Sequence, residues 1–323
     1  MLSLFRKSPA PAAARAAAPS GPVINPAHKT LIERHAAWLE KLQGGARADL
    51  SRASLAGVSW QSINLSRALL RSTSWVDADL SDANLAGVDL AMASMPGTLL
   101  SRADLTGADL DGAKMDRCWF DGANMSEVKA SETSLVGACR EQARLIEASF
   151  QNCKINEGRL AKAVFQHARL FGCDLTQANL AESNFYKARV QMCRFLGAVL
   201  TDANLTGSVF TDCGFGQADL TGARFQGADL SRSIFSRAFL DNCDLRDSKM
   251  AACDLTRASL KGARLGGVQW NGADLRGADL TGARELAPDQ FTQIRTDSTT
   301  MLPNGTPGPF LRGSGAERPK RAS

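Results

Sequence analysis

Large apolar side chains recur along this chain at every fifth residue, a spacing that belongs neither to an α-helix nor to a simple alternating strand. With the frame set on Leu50, 47 centres run to position 280, and 45 of them are Leu, Phe, Met, Trp, Ile or Val; the exceptions are Ala130 and Arg140. Two residues before each centre the side chain is small or β-branched and never charged. The other three places take Asp, Asn, Ser, Thr, Arg and Gly, as in "ADLTGADLDG" and "ADLRGADLTG". Such a chain has to turn a corner every five residues.

The unbroken A(D/N)LxG pattern over residues 46–284 closely resembles the pentapeptide-repeat proteins. That resemblance implies an all-β solenoid, a right-handed quadrilateral β-helix with four pentapeptides per coil, in which the centre and the residue two before it face inward and the other three face out. A coil of 20 residues also follows from the residues themselves. Cys153, Cys173, Cys193, Cys213 and Cys253 are spaced by 20 or 40, with Ser233 in the gap. Phe195, Phe215 and Phe235 repeat likewise, and Phe165, Phe185 and Phe225 do so half a coil away. The repeats make about 12 coils, a rod of roughly 57 Å at the spacing of neighbouring strands.

A solenoid needs covered ends. "NPAHKTLIERHAAWLEKLQGG" supplies Asn25 as an N-cap, Pro26 at the first helical position and Gly44 at the stop. Leu31, Ile32, His35, Trp38, Leu39 and Leu42 make one apolar face at helical spacing, placed to cover the first coil. At the other end Pro288, Phe291 and Ile294 mark a short helix followed by an extended strip. The expected organisation is a disordered tail over 1–24, a capping helix over 25–45, the β-helix over 46–284, a C-terminal cap over 285–311 and a disordered basic tail over 312–323.

Charge separates body from tails. The whole chain is +5, yet residues 46–285 hold 27 basic and 28 acidic groups. No apolar run reaches the length of a membrane span, and "MLSLFRK" is too short for a signal peptide, so the cytoplasm is the expected compartment. The eight cysteines read as free thiols. A parallel ladder of thiols does not converge on one metal, so the inward Cys column is expected to be core, and no metal or cofactor is expected. His35 reads as cap packing, and the outward Asp residues as turn chemistry. No catalytic constellation emerges, and an enzyme is not expected.

Function therefore has to lie in surfaces. Following the outward position before each centre in steps of 20 aligns Leu99, Trp119, Cys139 and Arg159. Leu99, Trp119 and Cys139 are expected to stack outward as an apolar strip on a polar rod, a candidate protein-interaction surface with Arg159 beside it. The stretch "LVGACREQARL" breaks the repeat next to this column. Arg140 either packs inside across from Ala130, with Glu141 or Glu147 as partner, or residues 127–141 bulge out as a loop and leave it solvated; the loop is the more economical reading.

The leading expectation is a non-catalytic scaffold or protein-binding rod, monomeric rather than dimeric, its partner unknown. The resemblance also implies an alternative, a DNA mimic that binds DNA gyrase and inhibits it or protects it from quinolones. That role needs a strongly acidic rod, whereas residues 151–200 hold seven basic and three acidic groups. Weak, salt-sensitive association with anionic membrane or nucleic acid is a third possibility.

Overall fold

A computed structural model describes residues 26–139 and 141–319. Its body is a parallel β-solenoid. Through most of the solenoid a centre donates its backbone N–H to a carbonyl 19 residues on, as from Leu50 to Leu69 O at 2.9 Å, and the preceding residue bonds back into the coil before; in the last coil Leu275 and Leu280 bond instead to Arg295 and Met301. Isolated parallel bridges join residues 20 apart from Asp49↔Leu69 to Arg264↔Arg284. Where the pairing lengthens, five strands form one parallel sheet in chain order: β1 (Lys129–Ser131), β2 (Ser149–Gln151), β3 (Arg169–Phe171), β4 (Arg189–Gln191) and β5 (Val209–Thr211). Their register is also 20, as in Arg169↔Arg189.

The coil has four faces, here numbered by their centres: the first contains Leu50 and Leu70, the second Leu55, the third Trp60 and the fourth Leu65. The corner between faces is made by the second residue after each centre, which adopts left-handed φ. Gly107 does so at +64° and Glu127 at +58°. This conformation explains the recurrent Gly at that place, because L side chains are strained there. Asp and Asn before the centre close the same corner. Asp49 Oδ1 accepts the Ser51 N–H at 2.9 Å, and Asp104 does the same for Thr106. The Ser51 hydrogen bonds hold the Asp49 carboxyl below its ordinary range.

All inward centres described are buried, Ala130 included at 3% exposure. Rings 20 residues apart stack face to face: Phe195 on Phe215 at 4.7 Å, Phe215 on Phe235 at 4.9 Å and Phe165 on Phe185 at 4.5 Å between centroids. The small inward slot does a second job. Several of its hydroxyls and thiols donate to a carbonyl 23 residues back, Thr133 Oγ1 to Leu110 O and Ser233 Oγ to Phe210 O, in the same geometry as Cys253 Sγ to Leu230 O at 3.1 Å. Cys, Ser and Thr are therefore interchangeable in this column: each is a small side chain with one hydrogen to donate.

The N-terminal helix α1 spans Pro26–Leu39 and packs Leu31 and Ile32 on the core. His35 is fully buried and its Nδ1 accepts the Ala48 N–H at 3.0 Å, tying helix to solenoid. Leu42 departs from expectation: the helix has already ended at Leu39, and Leu42 is 56% exposed. Helix and first coil are joined through Gly45, where a Cβ would lie 2.4 Å from the Trp38 backbone nitrogen. At the far end α2 (Pro288–Phe291) buries Phe291, which stacks on Phe310 at 4.1 Å. Residues 312–319, expected as part of a disordered tail, return to this end: Ala316 is buried and its carbonyl accepts the Asn304 N–H. Asn25, the tail over 1–24 and residues 320–323 lie outside the described residues.

Candidate protein-interaction surface

The third face carries the column marked by the 20-residue step. Leu99 bridges Trp119, Trp119 bridges Cys139, and Cys139 bridges Arg159, all parallel. Leu99 is 38% exposed and Trp119 half-buried. Cys139 does not belong to an exposed strip, because only 7% of it reaches solvent. The reason is the height of its neighbours. It sits between the indole of Trp119 and the long side chain of Arg159, whose guanidinium reaches back one coil to Glu141 at 2.9 Å. A short side chain between two tall ones in a column of strand spacing is shaded from water. Desolvation, then the Asp121 carboxylate 3.5 Å from Sγ, push the Cys139 thiol up to about 11.

Arg159 is likewise not a free anchor, since its charge is shared with Glu141. Arg140 lies outside the described residues, but the chain on both sides keeps the frame. Lys129–Ser131 is a strand, Leu135 is buried, Gly137 N–H donates to Asn156 O, and the Glu141 carbonyl accepts from Gly122. Residues 127–139 are therefore coil, and the expected loop over 127–141 is absent from that part of the chain. Ala130 is accommodated by pairing with the bulky Phe150 one coil on.

The inward ladder Cys153, Cys173, Cys193, Cys213 and Cys253 is buried, each residue 1% exposed. Burial pushes the Cys213 and Cys253 thiols up to about 12. Their side chains run parallel and hydrogen-bond to backbone oxygens, so they behave as core residues.

A second apolar locus escaped sequence reasoning. On the second face Leu196 and Ile234 are 48% and 49% exposed beside Gly216 and Gly214, whereas Phe239, 52% exposed, stands farther along the third-face column. Neither glycine has a positive φ, so the backbone does not require them. Their effect is to leave one coil bare between Leu196 and Ile234, beside an open groove of about 690 Å³. The readable signal was glycine standing outside the corner position.

The repeat is confirmed by family profiles. Pentapeptide repeats match residues 48–85, 63–102, 78–117, 143–180 and 253–284, and the pentapeptide repeat region matches residues 168–242. The chain belongs to the pentapeptide-repeat family. Among solved structures of the family it is similar to HetL, a protein involved in heterocyst differentiation regulation from the cyanobacterium Nostoc, at 22% identity over 86% of this chain and 98% of that one, with a TM-score of 0.26. It is also similar to QnrB1, a plasmid-mediated fluoroquinolone resistance protein, at 16% identity over 63% and 89% of the two chains and a TM-score of 0.27. Rfr23 from the cyanobacterium Cyanothece is 30% identical over 32% of this chain and 62% of that one, with a TM-score of 0.19. No curated protein sequence matches the chain significantly. Among the described residues no helix of this family member is long and apolar enough to cross a membrane.

Proposed function

We propose that this pentapeptide-repeat protein is a non-catalytic rod that binds another protein through its third face. The observation that carries the reading is the outward stacking of Leu99 and Trp119 in adjacent coils of the third face, a column that also holds Val199 and the exposed Phe239 farther along. A rigid parallel ladder holds such side chains at fixed spacing without the entropy cost of ordering them on binding. A half-buried Trp with an apolar neighbour is the composition from which interface anchors are drawn. The side chains with most reactivity, the thiols, are all buried.

The DNA-mimic alternative draws less support. Arg169, Arg189 and Lys187 stand together along one groove, where a phosphate-like surface would need carboxylates.

The test is affinity capture with wild type and Trp119→Glu. Loss of specific partners with an unchanged melting temperature supports the reading. A variant that no longer folds, or one that keeps every partner, removes it; Leu99→Glu serves as a second variant with a more exposed target.

A further inference from the structure

The corner joining the fourth face to the first carries a column of side chains with an unusual order. From the N-terminal end its polar members are Arg67, Glu127, Glu147, His167, Lys187 and Asp247. Gly87 and Gly107 fill the places before Glu127, and Gly207 and Gly227 those after Lys187. All ten positions are exposed, and all have φ between +54° and +64°. They are equivalent corners of successive coils.

Turned end for end, this column is its own complement. Reversal about a point between Glu147 and His167 sets Arg67 against Asp247, Glu127 against Lys187 and Glu147 against His167. It also sets glycine against glycine twice, Gly87 with Gly227 and Gly107 with Gly207. Charges at several other corners are neutralised internally, one coil apart, as in Asp82–Arg102, Lys162–Glu182 and Asp212–Arg232, although Arg237 and Arg257 also stack like on like. Here one acid is stacked on another, Glu127 before Glu147, and His167 stands before Lys187. Among the described residues none of the six makes an ion pair within the chain. Like charges at adjacent positions of a ladder are unfavourable, so Glu127 and Glu147 gain nothing from each other in an isolated rod, while Lys187 and His167 both lie against the Tyr186 ring.

We infer that two copies of this chain associate antiparallel, corner against corner, about a two-fold axis passing between Glu147 and His167. An isologous contact requires a patch that is self-complementary under a two-fold rotation, and this column meets that condition along ten coils. The bare glycine corners on either side of the charged centre let the two backbones approach. An open groove of about 630 Å³ follows the same corner, lined by Glu147, His167 and Lys187 with Arg169 and Arg189. The carboxylates of Glu127 and Glu147 from the second copy would enter its basic end. A uniform polyanion would satisfy the basic half and be repelled by the acidic half; only an acid-then-base column meets both. Two pairs of neighbours on the first face oppose the contact: Lys129 comes opposite Arg189 of the second copy, and Asp89 opposite its Asp229. The surface differs from the Leu99–Trp119 strip, so either reading can fail alone.

The experiment is sedimentation velocity on the full chain from about 1 to 100 μM, at about 20 mM and about 500 mM salt, a range over which screening shortens from tens of ångströms to a few. Wild type should form a reversible dimer at low salt that dissociates at high salt. Glu127→Lys alone and Lys187→Glu alone should each weaken it at least about tenfold, because each sets like charges face to face. Mixed in equal amounts, the two variants should recover the dimer, since every contact between them is again opposite in sign. The double variant Glu127→Lys/Lys187→Glu should recover it on its own, and Lys129→Glu should tighten it. Both substituted sites are exposed, so unchanged circular dichroism is expected throughout. A monomeric wild type at every concentration, a dimer indifferent to the single reversals, or a mixture that stays monomeric would overturn the inference.

Discussion

Phe215 is the middle ring of a three-ring stack, with Phe195 at 4.7 Å and Phe235 at 4.9 Å, both nearly parallel to it. Phe225 is equally buried at 0% exposure, but its neighbours at the same position one coil away are Leu205 and Leu245. Replacing each by Leu therefore separates ring stacking from burial. Phe225→Leu removes a few carbons from a packed site and should cost about 1 kcal/mol. Phe215→Leu has that cost plus two stacked pairs and a tilted pair with Phe210 at 5.8 Å, of about 0.5–1.5 kcal/mol each, for a total of about 2.5–5.5 kcal/mol. Equilibrium unfolding in guanidinium, followed by far-ultraviolet circular dichroism, gives both numbers. Because each coil contacts only its neighbours, faster amide exchange in Phe215→Leu should be confined to roughly residues 195–235. Equal costs within about 0.5 kcal/mol would mean that the parallel rings contribute through area alone, and the ladder would lose its special standing.

Three further outcomes follow from single residues. Burial lowers the pKa of His35 below its ordinary value, so the unfolded chain binds the extra proton first, and stability present above about pH 6.5 is lost as pH falls toward the folded pKa. Melting curves of wild type should decline below that pH, while His35→Gln should be flatter; identical pH profiles would disprove the coupling. Gly45→Val should loosen the helix from the first coil by about 2 kcal/mol or more, because a Cβ there meets the Trp38 backbone, which cannot move aside; unaltered proteolysis of the N-terminal segment would count against it. The ladder thiols should resist a thiol-reactive dye at neutral pH and label only on unfolding. Rapid labelling of the native protein would show that the coils open.

The fold was legible because one period governs almost every residue. A spacing of five, overlaid by cysteines and phenylalanines spaced by 20, leaves little freedom for alternatives, and the Phe195–Phe215–Phe235 stack could be read directly from the numbering. Exposure was less legible. Cys139 occupies an outward place, yet its neighbours' lengths decide its access to water, and a frame records direction without height. The same limitation hid Leu196 and Ile234, which stand proud because Gly214 and Gly216 lower the coil between them. Leu42 was misplaced because helical spacing continues in the letters after the helix itself has stopped at Leu39.

The constant register of 20 makes the rod a ruler whose graduations are also compass bearings. A duplication of 20 residues would lengthen it by about 4.8 Å and leave every downstream side chain on its original face. A duplication of five would keep each inward residue inward, so the core would tolerate it, but everything beyond would turn by a quarter. Trp119 would then no longer follow Leu99 along one face. Folding thus constrains length changes modulo five and surface geometry constrains them modulo twenty, so a repeat lost or gained can erase a docking surface in a protein that still melts at the same temperature.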